Sequence, residues 1–106
     1  MIHLDAGGYA GFVSGGGLRI IDMWAPWCGP CRAFAPTFEA VAGEMEGDGA
    51  LFAKLDVDAA QDVAIGEEIV SIPSVVIYRD GQRVAKLVGM MSAPELRAAI
   101  ADAAGA

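Results

Sequence analysis

At 106 residues with 55% apolar side chains, the chain is sized for one packed domain spanning residues 1–106, with no low-complexity tract that would argue disorder. Fourteen acidic against seven basic residues give a net charge of -7, which disfavours nucleic acid and an anionic membrane surface as partners. Two cysteines cannot build a disulfide framework, and with one distant histidine, His3, they fall short of a four-ligand zinc site, so no metal is expected.

In chain order, Ile2-His3-Leu4 reads as a short strand beginning a chain with no basic segment leading into an apolar one, so no secretory signal is expected. Ala6 to Val13 is expected to be a short, loosely held helix, because each interior glycine costs roughly 0.5 to 1 kcal/mol relative to alanine. Leu18 to Ala25 is nearly continuous in apolar character and rich in β-branched residues, as in a strand covered on both faces. From Cys31 the period changes: Phe34, Phe38, Val41 and Met45 recur at helical spacing. Gly47-Asp48-Gly49 marks a loop, Leu51 to Val57 a strand, and Asp58 to Asp62 the entry of a short helix running toward Gly66 to Glu68. Val75 to Tyr78 and Gln82 to Val88, joined by Asp80-Gly81, carry the strongest hairpin signal. Ser92 and Glu95 form a capping box ahead of a last helix, whose apolar face is Leu96, Ala99, Ile100 and Ala103. The order β-α-β-α-β-α-β-β-α demands an α/β fold, parallel at the start with helices on both faces and an antiparallel edge from the hairpin. No stretch reaches the roughly 18 apolar residues of a membrane span.

The chemistry concentrates at Trp27-Cys28-Gly29-Pro30-Cys31, where strand passes into helix. Cys28 then lies at or just before a helix N-terminus, where unpaired backbone N–H groups and the aligned peptide dipoles favour thiolate over thiol. A thiolate attacks disulfides, and a second thiol three positions on can close one. Asp22 sits inside the apolar strand. Burial would push its carboxyl upward, toward a range useful to a general base; an ordinary edge or solvent-facing aspartate is the alternative. Pro73 breaks what would otherwise be one strand, and from the residues alone a trans bond is the default.

The stretch from Ile21 to Cys31, together with Phe12, Pro36, Ala53 to Asp58, Ile72-Pro73-Ser74, Asp80-Gly81 and Val88-Gly89, resembles the thioredoxin family. The resemblance implies a thioredoxin fold, a central mixed β-sheet of order 1-3-2-4-5 flanked by helices. It implies a protein-disulfide reductase in which Cys28 attacks, Cys31 resolves, and Asp22, with Lys54 nearby, handles the proton; an exposed strand lysine is the alternative for Lys54. It also implies a cis Ile72-Pro73 bond facing the cysteines. Trp27, Gly29, Pro30, Ile72, Gly89 and Met90 would form an apolar substrate surface around Cys28, although Met90 and Met91 could equally be core fillers. Trp24 and Pro36 read as structural. Arg32 stands where the family often has lysine, and Pro26 where it often has an acidic or polar residue. No bound cofactor is needed. The expected partners are disulfide-bearing proteins and a thioredoxin reductase as electron donor, with the chain acting as a cytoplasmic monomer. Two other readings stay open: an oxidase or isomerase of an oxidising compartment, and a non-catalytic docking module.

Overall fold

The computed structural model describes residues 1–47 and 49–105, so Asp48 of the expected loop lies outside the described residues. The elements are β1 (Ile2–Leu4), α1 (Ala6–Val13), β2 (Leu18–Trp24), α2 (Gly29–Met45), β3 (Ala50–Asp56), α3 (Gln61–Gly66), β4 (Ser74–Arg79), β5 (Gln82–Val88) and α4 (Ala93–Gly105). The five strands form one sheet in the order β1-β3-β2-β4-β5. β2 runs parallel to β3 and antiparallel to β4, and β5 is antiparallel to β4. Among the described residues no helix is long and apolar enough to cross a membrane.

Alternation along the central strands sorts side chains onto two faces. Ile20 of β2, Phe52 of β3, and Val75 and Ile77 of β4 pack with Phe34, Phe38 and Val41 of α2 and with Leu96 and Ile100 of α4. Ile21, Met23, Leu55 and Val76 face the other way, toward Tyr9 and Val13 of α1 and Val63 of α3. On the first face the Phe38 ring lies 6.0 Å from Phe34 and 5.7 Å, edge-on, from Phe52. Each such fully buried ring contributes roughly 1.5 to 3 kcal/mol. Both faces of β2 are covered, which is why its sequence reads as a continuous apolar run.

Local chemistry fixes the element ends. Asp5 caps α1, its Oδ1 accepting from the Gly8 N–H at 2.7 Å, and this cap offsets part of the glycine cost. The capping box closes in both directions: the Ser92 N–H donates to Glu95 Oε1 at 3.0 Å, and the Glu95 N–H to Ser92 Oγ at 3.3 Å. Those bonds to Ser92 hold the Glu95 carboxyl below its ordinary range. Helix α3 starts later than the sequence suggests, at Gln61 rather than near Asp58. The Asp58 N–H is taken by Asp56 Oδ1 at 2.9 Å, and Ala60 is non-helical (φ -137°, ψ 57°). A side-chain turn therefore competes with the helix at that point.

Candidate functional site

Strand β2 ends at Trp24, and the chain turns through Ala25, Pro26 and Trp27 into α2. Cys28 is the N-cap of α2, with extended backbone (φ -86°, ψ 111°), and its Sγ accepts from the Cys31 N–H at 3.2 Å. Pro30 stands in the first helical turn, where its missing N–H costs nothing. Cys28 and Cys31 are joined as a disulfide, with 5% and 1% of their surfaces exposed. Gly29 and Pro30 are exposed and leave the approach to the sulfurs open. Pro36 lies inside α2.

A second backbone segment comes to this turn from across the sheet. The Ile72-Pro73 peptide is cis, and the Ile72 carbonyl oxygen lies 3.8 Å from Cys28 Sγ. Among the described residues neither the N–H nor the C=O of Ile72 takes part in a backbone hydrogen bond. Beside it Gly89, at φ 97°, occupies the left-handed region that favours glycine, and its N–H donates to the Pro73 carbonyl at 2.8 Å. This brings Met90, 52% exposed, to the same surface as Trp27, 67% exposed; Met91 instead packs partly buried against the core. The Trp27 indole N–H donates to Asp58 Oδ2 at 2.5 Å. Arg32 donates to the Pro26 carbonyl at 2.9 Å, tying the turn to the helix.

Below the turn is a buried charge. Asp22 is fully buried, and among the described residues neither carboxylate oxygen has a hydrogen-bond partner. It shares a sheet face with Ile20, hence lies on the side covered by α2, the helix that carries Cys31. Its register partner on β3 is Lys54, also buried. Burial pushes the Asp22 carboxyl up to about 7; Lys54 opposes the shift and Glu39 adds to it. Lys54 Nζ sits 3.8 Å from Glu39 Oε2 and 4.6 Å from the centre of the Trp24 ring, so the ammonium is held between a carboxylate and an aromatic face.

The structure therefore gathers Cys28, Cys31, Trp27, Gly29, Pro30, Ile72, Pro73, Gly89 and Met90 at one edge, with Asp22 and Lys54 beneath. His3 is exposed on β1. Sequence reasoning missed three participants: Glu39 beside Lys54, Asp58 on Trp27, and a groove of about 340 Å³ running from Trp27 along Ile65, Ile69 and Val70 to Ile72. The apolar residues Ile65 and Val70, 73% and 93% exposed, were the available signal for the groove.

A dithiol placed this way is built for exchange with disulfides. The thioredoxin family model matches residues 2–102. Thioredoxin from Staphylococcus epidermidis is 42% identical over 73 residues, 69% of either chain. That of Coprinus comatus is 43% identical over 74 residues, 70% of either chain, and that of Staphylococcus aureus 44% identical over 73 residues, again 69%. The crystal structure of Malassezia sympodialis thioredoxin is similar with a TM-score of 0.87 at 31% identity, covering 96% of this chain and 91% of that one. With the family's fold, a match over nearly its whole length, and a paired Cys28 and Cys31 at the head of α2, the chain belongs to the thioredoxin family and is a protein-disulfide oxidoreductase.

Proposed function

We propose that the chain works as a reductase, as one domain and as a monomer. It takes electrons from a thioredoxin reductase and passes them to disulfides in substrate proteins. One observation carries this reading: Cys28 caps α2 directly beside the backbone of Ile72, which among the described residues makes no backbone hydrogen bond, at an edge bordered by exposed Trp27 and Met90. An extended substrate segment can pair with the Ile72 backbone in strand fashion, laying its disulfide over Cys28.

In the reduced protein the helix N-terminus favours the Cys28 thiolate. It attacks one substrate sulfur; the substrate's S–S bond breaks, the other sulfur leaves as thiolate, and a mixed disulfide forms. Asp22 then accepts the Cys31 proton, with Lys54 as the nearby cation, and the Cys31 thiolate attacks Cys28 Sγ. That step releases the second substrate thiolate and closes the Cys28-Cys31 disulfide, so two electrons have passed to the substrate. We place the protein in the cytoplasm, where thiols are kept reduced.

Insulin reduction driven by dithiothreitol, with a redox titration in glutathione buffers, tests this directly. A rate well above background and a potential on the reducing side are expected; no rate, or an oxidising potential, would overturn the reading. The division of labour between the thiols has its own test. Brief alkylation of the reduced protein at about pH 7, followed by peptide mapping, should label Cys28 first, because only the N-cap sulfur combines dipole and access. Preferential labelling of Cys31 would reverse the roles.

A further inference from the structure

Helix α3 stops at Gly66, and the six residues from Glu67 to Ile72 lead from it to the edge where Ile72 meets Cys28. The start of that run is held by side chains from the β4–β5 hairpin. The Glu67 carboxylate accepts from the Tyr78 hydroxyl at 2.5 Å through Oε1 and from Arg83 Nη1 at 3.1 Å through Oε2. The same Arg83 nitrogen donates to the Glu67 carbonyl oxygen at 3.0 Å, and Lys86 Nζ donates to the Glu68 carbonyl at 3.0 Å. Glu67 is only 8% exposed, and a carboxylate that far from water is tolerated because it is paired and hydrogen-bonded. Burial raises the Tyr78 hydroxyl to about 12, so it stays a donor across the working pH range.

A bulge makes the arrangement possible. Ile77 faces Ala85, but Tyr78 faces Arg83, so the register skips Val84. Val84 packs into the core on the α2 and α4 face, while Arg83 stands opposite Tyr78 on the α3 side. Re-aiming a side chain is what a bulge does to a strand. In a regular ladder Val84 would face Tyr78, and Glu67 would lose its cation. Immediately after the clamped residue, Glu68 adopts φ 58°, a left-handed conformation that a non-glycine residue keeps only where its surroundings hold it.

We propose that Glu67, Tyr78, Arg83 and Lys86 form a clamp that positions the Glu68–Ile72 segment for substrate docking, and so act as positioning residues of the exchange reaction. The proposal rests on the reading of Ile72 as the docking backbone. The clamp acts through Ile72, so it governs how a protein substrate is seated and leaves the attack of Cys28 on an accessible disulfide alone.

Arg83→Met keeps the aliphatic stem and removes the charge; Arg83→Lys restores a cation; Tyr78→Phe deletes one hydroxyl. For each, three readouts are compared: KM and kcat for insulin, the second-order rate with the small disulfide dithiodipyridine, and amide hydrogen exchange over residues 67–72. Arg83→Met should raise the insulin KM roughly tenfold, since small displacements of a positioning element weigh heavily on a seated substrate. Its kcat and its dithiodipyridine rate should stay within about twofold of the parent. Exchange at the Glu68 and Ile69 amides, which donate to the Ile65 and Ala64 carbonyls, should quicken, and Arg83→Lys should recover most of the loss. Should Arg83→Met fail to fold, Tyr78→Phe carries the same comparison with a smaller amplitude. Unchanged exchange overturns the clamp itself, as does a fall in the insulin and dithiodipyridine rates together. Faster exchange with an unchanged insulin KM overturns the proposal at its premise, the docking role of Ile72.

Discussion

Asp22→Ala is expected to unfold at a higher denaturant concentration than the parent at pH 7, and to resolve its mixed disulfides more slowly. The Asp22 carboxyl titrates at about 7 in the folded protein against 3.8 for a free side chain, because burial disfavours its charged form. An acid whose folded pKa is raised binds its proton more tightly in the native state. Stability is therefore intact below the unfolded value, falls as pH rises from about 4 to about 7, and above that carries the full penalty, on the order of 4 kcal/mol. Alanine removes the charge and leaves a small cavity, so a net gain of roughly 2 kcal/mol is expected at pH 7. At pH 4 the parent carboxyl is already neutral and only the cavity cost remains. The parent's resolution rate should decline as pH drops below about 7, where the base becomes protonated, whereas the variant should lack that inflection and run roughly a hundredfold slower. Denaturant melts at both pH values, with single-turnover kinetics, measure all of this. A variant less stable at both, with an unchanged rate, would leave the mechanism without its base.

Cys31→Ser should arrest the reaction after its first half. Attack by Cys28 requires nothing from Cys31 beyond the N–H that its Sγ accepts, and serine keeps that N–H. The mixed disulfide should then accumulate as a one-to-one covalent adduct with the substrate, visible by mass spectrometry without reductant, and insulin turnover should vanish. Cys28→Ser should give neither adduct nor turnover. An adduct formed through Cys31 in the Cys28→Ser protein would mean that the nucleophile has been misassigned.

Local rules carried most of the architecture. The change from strand to helix period across Cys28 to Cys31, the Asp80-Gly81 turn and the Ser92–Glu95 capping box act between near neighbours, so each could be read directly and each stands in the structure. The strand order and the cis bond at Pro73 came from family resemblance, since both depend on contacts between distant residues. What stayed hidden was non-local in a stricter sense. Nothing in a string of residues says that Asp58 will bond the Trp27 indole, or that Glu39 will reach Lys54 from another element. The Glu67 and Arg83 partnership was the least visible, because alternation along β5 without the bulge would turn Val84, not Arg83, toward Tyr78.

The two sulfurs are neighbours in the chain, while the edge beside them is not. Cys28 and Cys31 share the first turn of one helix, but Ile72 and Gly89 arrive only once β4 has paired with β2 and β5 with β4. Reactivity is thus set within one helical turn and selectivity by the pairing of distant strands, but Val75 and Ile77 of β4 pack on Phe34 and Phe38 of α2, so an opening that released the hairpin would loosen both. During synthesis both thiols leave the ribosome before β4, β5 and α4, and the site is complete only when those later elements have closed over α2 and β2.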